Sequence, residues 1–392
     1  MIYLNDLGII SPLGNSHEAI RQNMLLNPRS GITMSDAWKP FHLPLGLSVP
    51  SGNRTVSDLP ILSRSRNNLF ALSALDQIRP SVDAAIKQFG RNRIGVIVGT
   101  STSGIAESER AFSFRKTCQC FPEDFHYAQQ ELGSLSELIA NELGLTGPAY
   151  VHSSACASGA KSIASAARLL EAGICDAIIA GGVDTLSAFV IAGFSALDAI
   201  SPETTLPFSK NRQGINLGEG AAFFLMSRVP SGIALAGWGE ASDGHHISAP
   251  DPEGKGAGLA ITQALEKAGI NAKALDYINL HGTGTQQNDA MEAKIIHEMA
   301  GVSVFCSSTK AMTGHTLGAA GAVEAGLCWI AMQDNMSGLV PPHLYDGEYD
   351  TGIAKINLAG IGAQLGHPIR YCLSTSFAFG GANAALVMEG MP

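Results

Sequence analysis

A chain of 392 residues, 45% hydrophobic and 15% charged with 44 glycines, has the apolar mass for a large core and too little charge for a disordered polymer. Its formal net charge of −9 and the lack of any dense Lys/Arg run exclude wholesale nucleic-acid binding. Seven scattered cysteines without a CxxC pair read as reduced thiols of a cytoplasmic protein, and no window reaches the ~18 apolar residues of a membrane span.

The first clear element is RIGVIVGTS, 93 to 101, a continuous apolar run expected to be a buried strand. LSELIANELG (135 to 144) has helical spacing, AYVHSSA (149 to 155) reads as a strand, and 160 to 172 as an apolar-faced helix. DAIIAGGVD (176 to 184) is a further buried strand. Such strands between helices predict a parallel sheet covered on both faces. GEGAAFFLM (218 to 226) and GIALAG (232 to 237) look like antiparallel strands joined by the turn SRVPS. A second round follows: helix 256 to 269, strand 276 to 280, helix 289 to 300, strand 302 to 307, helix 317 to 333. The pattern predicts one α/β plan run twice. Residues 334 to 372 read as irregular and lead into SFAFGGAN, 376 to 383.

Three of these strand ends carry chemistry. VHSSACASG, 151 to 159, sets Cys156 between a strand and a helix start, where free N–H groups and the helix dipole favour thiolate. The alternative for this residue is a buried structural cysteine. HGTGTQQNDAME (281 to 292) and SSTKAMTGHTLGAAGAVE (307 to 324) bring His281 and His315 to two further strand ends. Open α/β sheets gather their sites there. A thiolate, two neutral imidazoles and an N–H from the turn at 379 to 381 could attack a thioester, hold its oxyanion and stabilise an enolate. Lys310 and Glu324 could form an ion pair that fixes His315. A second histidine suits carbon–carbon bond formation better than hydrolysis. His245 and His246 lack the third ligand a metal needs, and no metal is expected.

These motifs resemble those of the β-ketoacyl-acyl-carrier-protein synthases of the thiolase superfamily. ACASG is similar to their nucleophile elbow, HGTGT to their first histidine loop, STKAMTGHTLGAAGAVEA to their Lys/His loop, and SFAFGGANAAL to the turn that gates the acyl pocket. The resemblance implies a five-layered αβαβα sandwich of two similar halves, 1–230 with the nucleophile and 231–392 with both histidines. It implies acylation of Cys156 and decarboxylation of a malonyl unit beside His281 and His315, with Lys310 and Glu324 as supports. Phe379 would gate the pocket and supply an oxyanion N–H. Thr283 and Thr285 would bind the phosphopantetheine arm, with Ser248 near it and Phe208 packed near the nucleophile. No cofactor is implied beyond the phosphopantetheine that carries substrates on an acyl carrier protein. Arg64 and Arg66, in RSRNN, would dock that acidic carrier.

QQND at 286 to 289 resembles type II polyketide ketosynthases, and GTSTSGI at 99 to 105 the aryl polyene branch. Such enzymes pair with a cysteine-free chain-length factor, so the resemblance leaves a homodimer and that heterodimer both open. The segment LPFSKNRQG, 206 to 214, departs from the family pattern by placing Leu206, Ser209 and Gln213 where charged residues usually stand. The competing reading is a non-catalytic partner subunit, which the presence of Cys156 with both histidines opposes. A thiolase would need a second cysteine where Phe379 stands.

Overall fold

The structure is a computed structural model and describes residues 1–391. Its first half contributes strands β1 (Ile2–Ile10), β4 (Ile94–Gly99), β5 (Ala149–His152), β6 (Ala177–Asp184) and β7 (Gly220–Ser227), with β2 (Ile32–Ser35) and β3 (Leu43–Gly46) as a separate hairpin. The second half contributes β8 (Ile233–Ser242), β9 (Tyr277–Asn279), β10 (Phe305–Ser307), β11 (Asn357–Leu358), β12 (Tyr371–Phe377) and β13 (Ala382–Gly390). Hydrogen bonding links the strands in the order β11-β10-β9-β12-β13-β8-β1-β7-β6-β4-β5, and the two-residue contact of β1 with β8 divides this run into a first sheet, β1-β7-β6-β4-β5, and a second, β8-β13-β12-β9-β10, with β11 on its edge. β4, β5 and β6 are parallel, while β7 and β1 alternate in direction. β9, β10 and β12 repeat the parallel part, and β13 and β8 the antiparallel part. One plan is therefore executed twice.

The anticipated hairpin at the switch between halves does not form. β7 and β8 each pair with β1, so that Tyr3 faces Ser227 on one side and Ala234 on the other. The β1–β8 contact spans only Ile2 and Tyr3, and there one sheet hands over to the next. The short turn at 228 to 232 carries the chain between layers rather than closing a ribbon.

Helices Ser158–Glu171 and Ala320–Met332 lie between the sheets. Ala160, Ile163, Val323 and Leu327 share a buried core with Ile97 and Phe224 of one sheet and Leu386 of the other. Outside the first sheet, helices Arg66–Gln77 and Ser134–Leu143 pack on Val96, Val98 and Ile179. Outside the second, helices Lys255–Ala268 and Gln286–Ala300 pack on Ile278, Leu373 and Val387. The result is an αβαβα sandwich. Alternate residues of β4 and β6 enter different cores, which is why those strands read as unbroken apolar runs. The two central helices cross closely: a β-carbon on Gly159 would stand 2.8 Å from the Ala322 nitrogen. That crossing brings the N-terminal ends of both helices to one place.

Candidate active site

Strand β5 ends at His152, three residues earlier than its sequence suggests, and the chain turns sharply before helix Ser158–Glu171. Ala155 takes a left-handed φ of 46°, a costly conformation for a residue with a β-carbon. Ser158 holds the turn, its hydroxyl accepting from the Ser154 N–H at 2.8 Å and donating to the Ala155 carbonyl at 2.6 Å. Cys156 is thereby presented beside the helix start, buried. The Phe379 backbone lies beside its sulfur and helps to lower the thiol's pKa.

His315 arrives from the equivalent loop of the second half. Its Nε2 lies 3.0 Å from Cys156 Sγ. Its backbone is braced by the first half, donating to the Asn216 carbonyl at 2.7 Å and accepting from the Gly218 N–H at 2.9 Å. His281, from the loop after β9, stands edge-on to it with ring centres 5.3 Å apart. The three ligating atoms of Cys156, His281 and His315 lie within 4.8 Å of one another, the one such cluster among the described residues. That spacing is open to a soft cation, and equally it lets all three atoms meet one thioester.

Burial dominates the electrostatics. It pushes the Cys156 thiol up to about 12, against the lowering pull of Lys310 and the Phe379 N–H. The thiolate expected from the helix end is therefore not the resting state; the buried sulfur keeps its proton. Burial, then Lys310 and His315, holds His281 well below the ordinary imidazole value, and burial with Lys310 does the same for His315. Both rings are neutral near pH 7.

Lys310 and Glu324 form the buried ion pair that the sequence suggests, but beneath the other histidine. Lys310 Nζ donates to the His281 carbonyl at 2.5 Å and lies 3.4 Å from His281 Nδ1. An ammonium can only donate, so Nδ1 is the acceptor and the His281 proton sits on Nε2. His315 Nδ1 has no hydrogen-bond partner among the described residues. The reason is geometric: Lys310 opens a short helix, Lys310–Thr313, whose turn directs its side chain back toward β9.

Two cavities meet at Cys156. One, of about 340 Å³, is lined by Thr283, Thr285, Ser248, Asn383 and both histidines. The other, of about 300 Å³, is apolar and lined by Phe189, Val190, Phe194, Leu197 and Leu317. Phe379 lines both and packs against Phe194 at 5.9 Å. Phe208 lines neither. It is wholly buried behind the histidine loop, where a β-carbon on Gly282 would touch its ring at 2.9 Å. The resemblance implied packing near the nucleophile, and in the structure Phe208 backs the histidine loop. Arg66 is likewise drawn inward, paired with the buried carboxylate of Glu219 at 2.6 Å and stacked on Phe70. Arg64 is half-buried and bonds to the Ser57 and Leu59 carbonyls.

Sequence reasoning missed the buried acids that shape these loops. Glu292 accepts from the His281 and Gly282 N–H groups, each at 2.7 Å, and from the Thr375 hydroxyl at 2.8 Å. Asp289 accepts from Thr283, Gly284 and Phe208 N–H groups. The signal was their spacing: positions 289 and 292 share one face of helix Gln286–Ala300, turned toward the loop that precedes it.

Fold and site together define a condensing enzyme of the thiolase-like class, with a cysteine nucleophile between two imidazoles. The chain belongs to the beta-ketoacyl synthase family: the family's N-terminal domain matches residues 71–231 and its C-terminal domain residues 233–345. It is 30% identical to 3-oxoacyl-[acyl-carrier-protein] synthase 2 of Staphylococcus aureus (strain COL), over 99% of this chain and 98% of the relative. Among solved structures it resembles a ketosynthase (ApeO) in complex with its chain length factor (ApeC) from Xenorhabdus doucetiae, with a TM-score of 0.92 and 42% identity over 100% of this chain and 98% of that one. A beta-ketoacyl synthase from Burkholderia phymatum STM815 matches with a TM-score of 0.86 and 27% identity over 100% of this chain and 99% of that one. The protein is thus an enzyme of the beta-ketoacyl synthase class, which elongates acyl chains by Claisen condensation. No helix among the described residues is long and apolar enough to cross a membrane.

Proposed function

We propose that this chain is the catalytic subunit of an aryl-polyene-type ketosynthase that adds two carbons from malonyl carrier protein to an acyl group held on Cys156. The observation that carries the reading is the 3.0 Å contact of Cys156 Sγ with His315 Nε2, beside a second neutral imidazole. In the first step Sγ attacks the carrier thioester and passes its proton to His315 Nε2. The N–H groups of Cys156 and Phe379 receive the oxyanion, and collapse expels the phosphopantetheine thiolate, which takes the proton from His315.

In the second step a malonyl thioester enters along Thr283 and Thr285. Its thioester oxygen accepts an Nε2–H bond from His281 and a second from His315, which exchanges through solvent to its Nε2–H tautomer once the sulfur is acylated and no longer donates to it. The bond to the carboxylate carbon breaks, its electron pair enters the enolate, and CO2 leaves. The enolate carbon then attacks the acyl-Cys156 carbonyl. The product leaves on the carrier, and the freed Cys156 thiolate takes a proton from solvent. Lys310 and Glu324 act by fixing His281, Phe379 by separating the two cavities, and Ser248 at the mouth. Residues 1–230 and 231–392 are read as the two halves that share this work.

The partner reading is a heterodimer with a cysteine-free chain-length-factor homologue. It is supported by the 42% identical ketosynthase solved with its chain length factor, and by the apolar cavity wall, where Phe189 is 64% and Leu197 58% exposed. Arg64 remains a carrier contact under this reading. Intact-mass spectrometry of wild type and Cys156→Ala after incubation with acyl carrier, then malonyl carrier, tests the function. An adduct on wild type alone, discharged as a product two carbons longer, is expected; an adduct on Cys156→Ala would refute the assignment.

A further inference from the structure

One buried carboxylate beside the site has no part in the steps above. Asp184 closes β6 and is fully buried. Its Oδ1 accepts from the Ser101 and Thr102 N–H groups at 2.9 and 3.0 Å, and from the Thr100 and Thr102 hydroxyls at 2.6 and 2.8 Å. Its Oδ2 accepts from the Gly318 N–H at 2.6 Å and from the Ser101 hydroxyl. Every donor is neutral, and no Lys, Arg or His side chain reaches it among the described residues.

The donors come from two places that the chain itself does not join. Thr100, Ser101 and Thr102 leave β4 in the first half, whereas Gly318 follows His315 by three residues in the second. Ser101, Thr102 and Leu317 all line the apolar cavity. Leu317 is held at a left-handed φ of 54°. A β-carbon on Gly318 would lie 2.7 Å from Asp184 Oδ2 and 2.8 Å from the Ser101 nitrogen, so only glycine lets the backbone settle on the carboxylate.

We propose that Asp184 is a positioning residue that clamps the wall of the acyl cavity to the His315 loop and so fixes which acyl chains reach Cys156. This rests on the ketosynthase reading and deepens it. The clamp decides the distance between the cavity wall and the imidazole that receives the thiol proton. Removing it changes how well each primer fits, not merely how fast all of them react. Its charge also bears on the nucleophile: Asp184 and Glu324 oppose ionisation of Cys156 while Lys310 favours it. His281 and His315, the other titratable groups at the sulfur, are neutral.

The test compares wild type with Asp184→Asn, in which one oxygen becomes an amide donor facing the Ser101 or Gly318 N–H. Acylation of Cys156 is followed by intact mass with short, medium and long acyl carriers. The ratio between best and worst primer should collapse by about tenfold, the scale of a small misplacement at a reacting centre. A uniform loss across primers would overturn the proposal. Thr102→Val removes a single hydroxyl donor and should change the ratio in the same direction by about threefold, which covers a poorly folding Asp184→Asn. Alkylation of Cys156 by iodoacetamide needs no carrier. At pH 8 Asp184→Asn should react about threefold or more faster than wild type, and an equal rate would also overturn the proposal. Should wild type accept no acyl carrier at all, the ketosynthase reading fails, while the alkylation rates still decide whether Asp184 governs the thiol.

Discussion

The loop after β5 and the loop after β10 occupy equivalent places in the two halves, yet one delivers Cys156 and the other His315. The loops after β4 and β9 are a second such pair. In the first half, the N–H groups at 101 and 102 are gathered by Asp184, from the neighbouring strand. In the second, those at 281 and 282 are gathered by Glu292, from the helix that follows. Both solutions spend a buried carboxylate on backbone donors that a sheet end leaves unpaired. They differ in what the loop then presents: hydroxyls along an apolar cavity, or an imidazole against a thioester. A repeated scaffold thus fixes where side chains are aimed, and the carboxylates fix how each loop is held.

Cys156→Ala gives the sharpest break of this pairing, because no other thiol lies at the meeting point; condensation should fall by about a thousandfold or more, read as loss of the acyl adduct. The histidines should then separate. His315→Ala should slow both acylation and decarboxylation, whereas His281→Ala should leave acylation near wild type and reduce decarboxylation by about a hundredfold or more, read as CO2 release. Equal losses in both steps for both variants would dissolve the division of labour. Glu292→Gln places an amide donor against N–H groups and should cost about 1–3 kcal/mol of stability, read by denaturant unfolding, with a drop in decarboxylation. Gly159→Ala should destabilise by a similar or smaller amount, about 1–2 kcal/mol, since the added methyl meets backbone where the halves cross. The smallest effect concerns pH. With both imidazoles held well below their ordinary value, a break in decarboxylation between about pH 6 and 8 should come only from Glu292 and Glu324, which burial pushes up to about 7, with activity falling as pH drops and these carboxylates take protons. A break near the free-histidine value that persists in both Glu292→Gln and Glu324→Gln would contradict the neutral pair.

Much of this was legible in the sequence. Unbroken apolar runs at 94–99 and 177–184 announced strands buried on both faces, and the three loops announced their own chemistry. What stayed hidden lay across the chain. SRVPS looked like a hairpin turn because nothing local tells that β1, more than two hundred residues earlier, takes the place between β7 and β8. Lys310 lies five residues from His315 and twenty-nine from His281, yet a single helical turn aims it at the distant one. The partners of Phe208 and Arg66 were hidden for the same cause, since Asp289 takes the Phe208 N–H and Glu219 the Arg66 guanidinium, each remote in sequence.

The deep burial of Cys156 also bears on how long a molecule survives in use. Peroxide attacks thiolate rather than thiol. A sulfur whose proton leaves only near pH 12 exposes roughly one ionised form in 10^5 at pH 7. Sulfenic acid therefore forms slowly on the idle enzyme. In turnover the sulfur is ionised only briefly, when His315 has taken its proton and an acyl group is arriving, and again when condensation frees the thiolate before it is reprotonated. Resistance to oxidative ageing comes with the same packing that built the site.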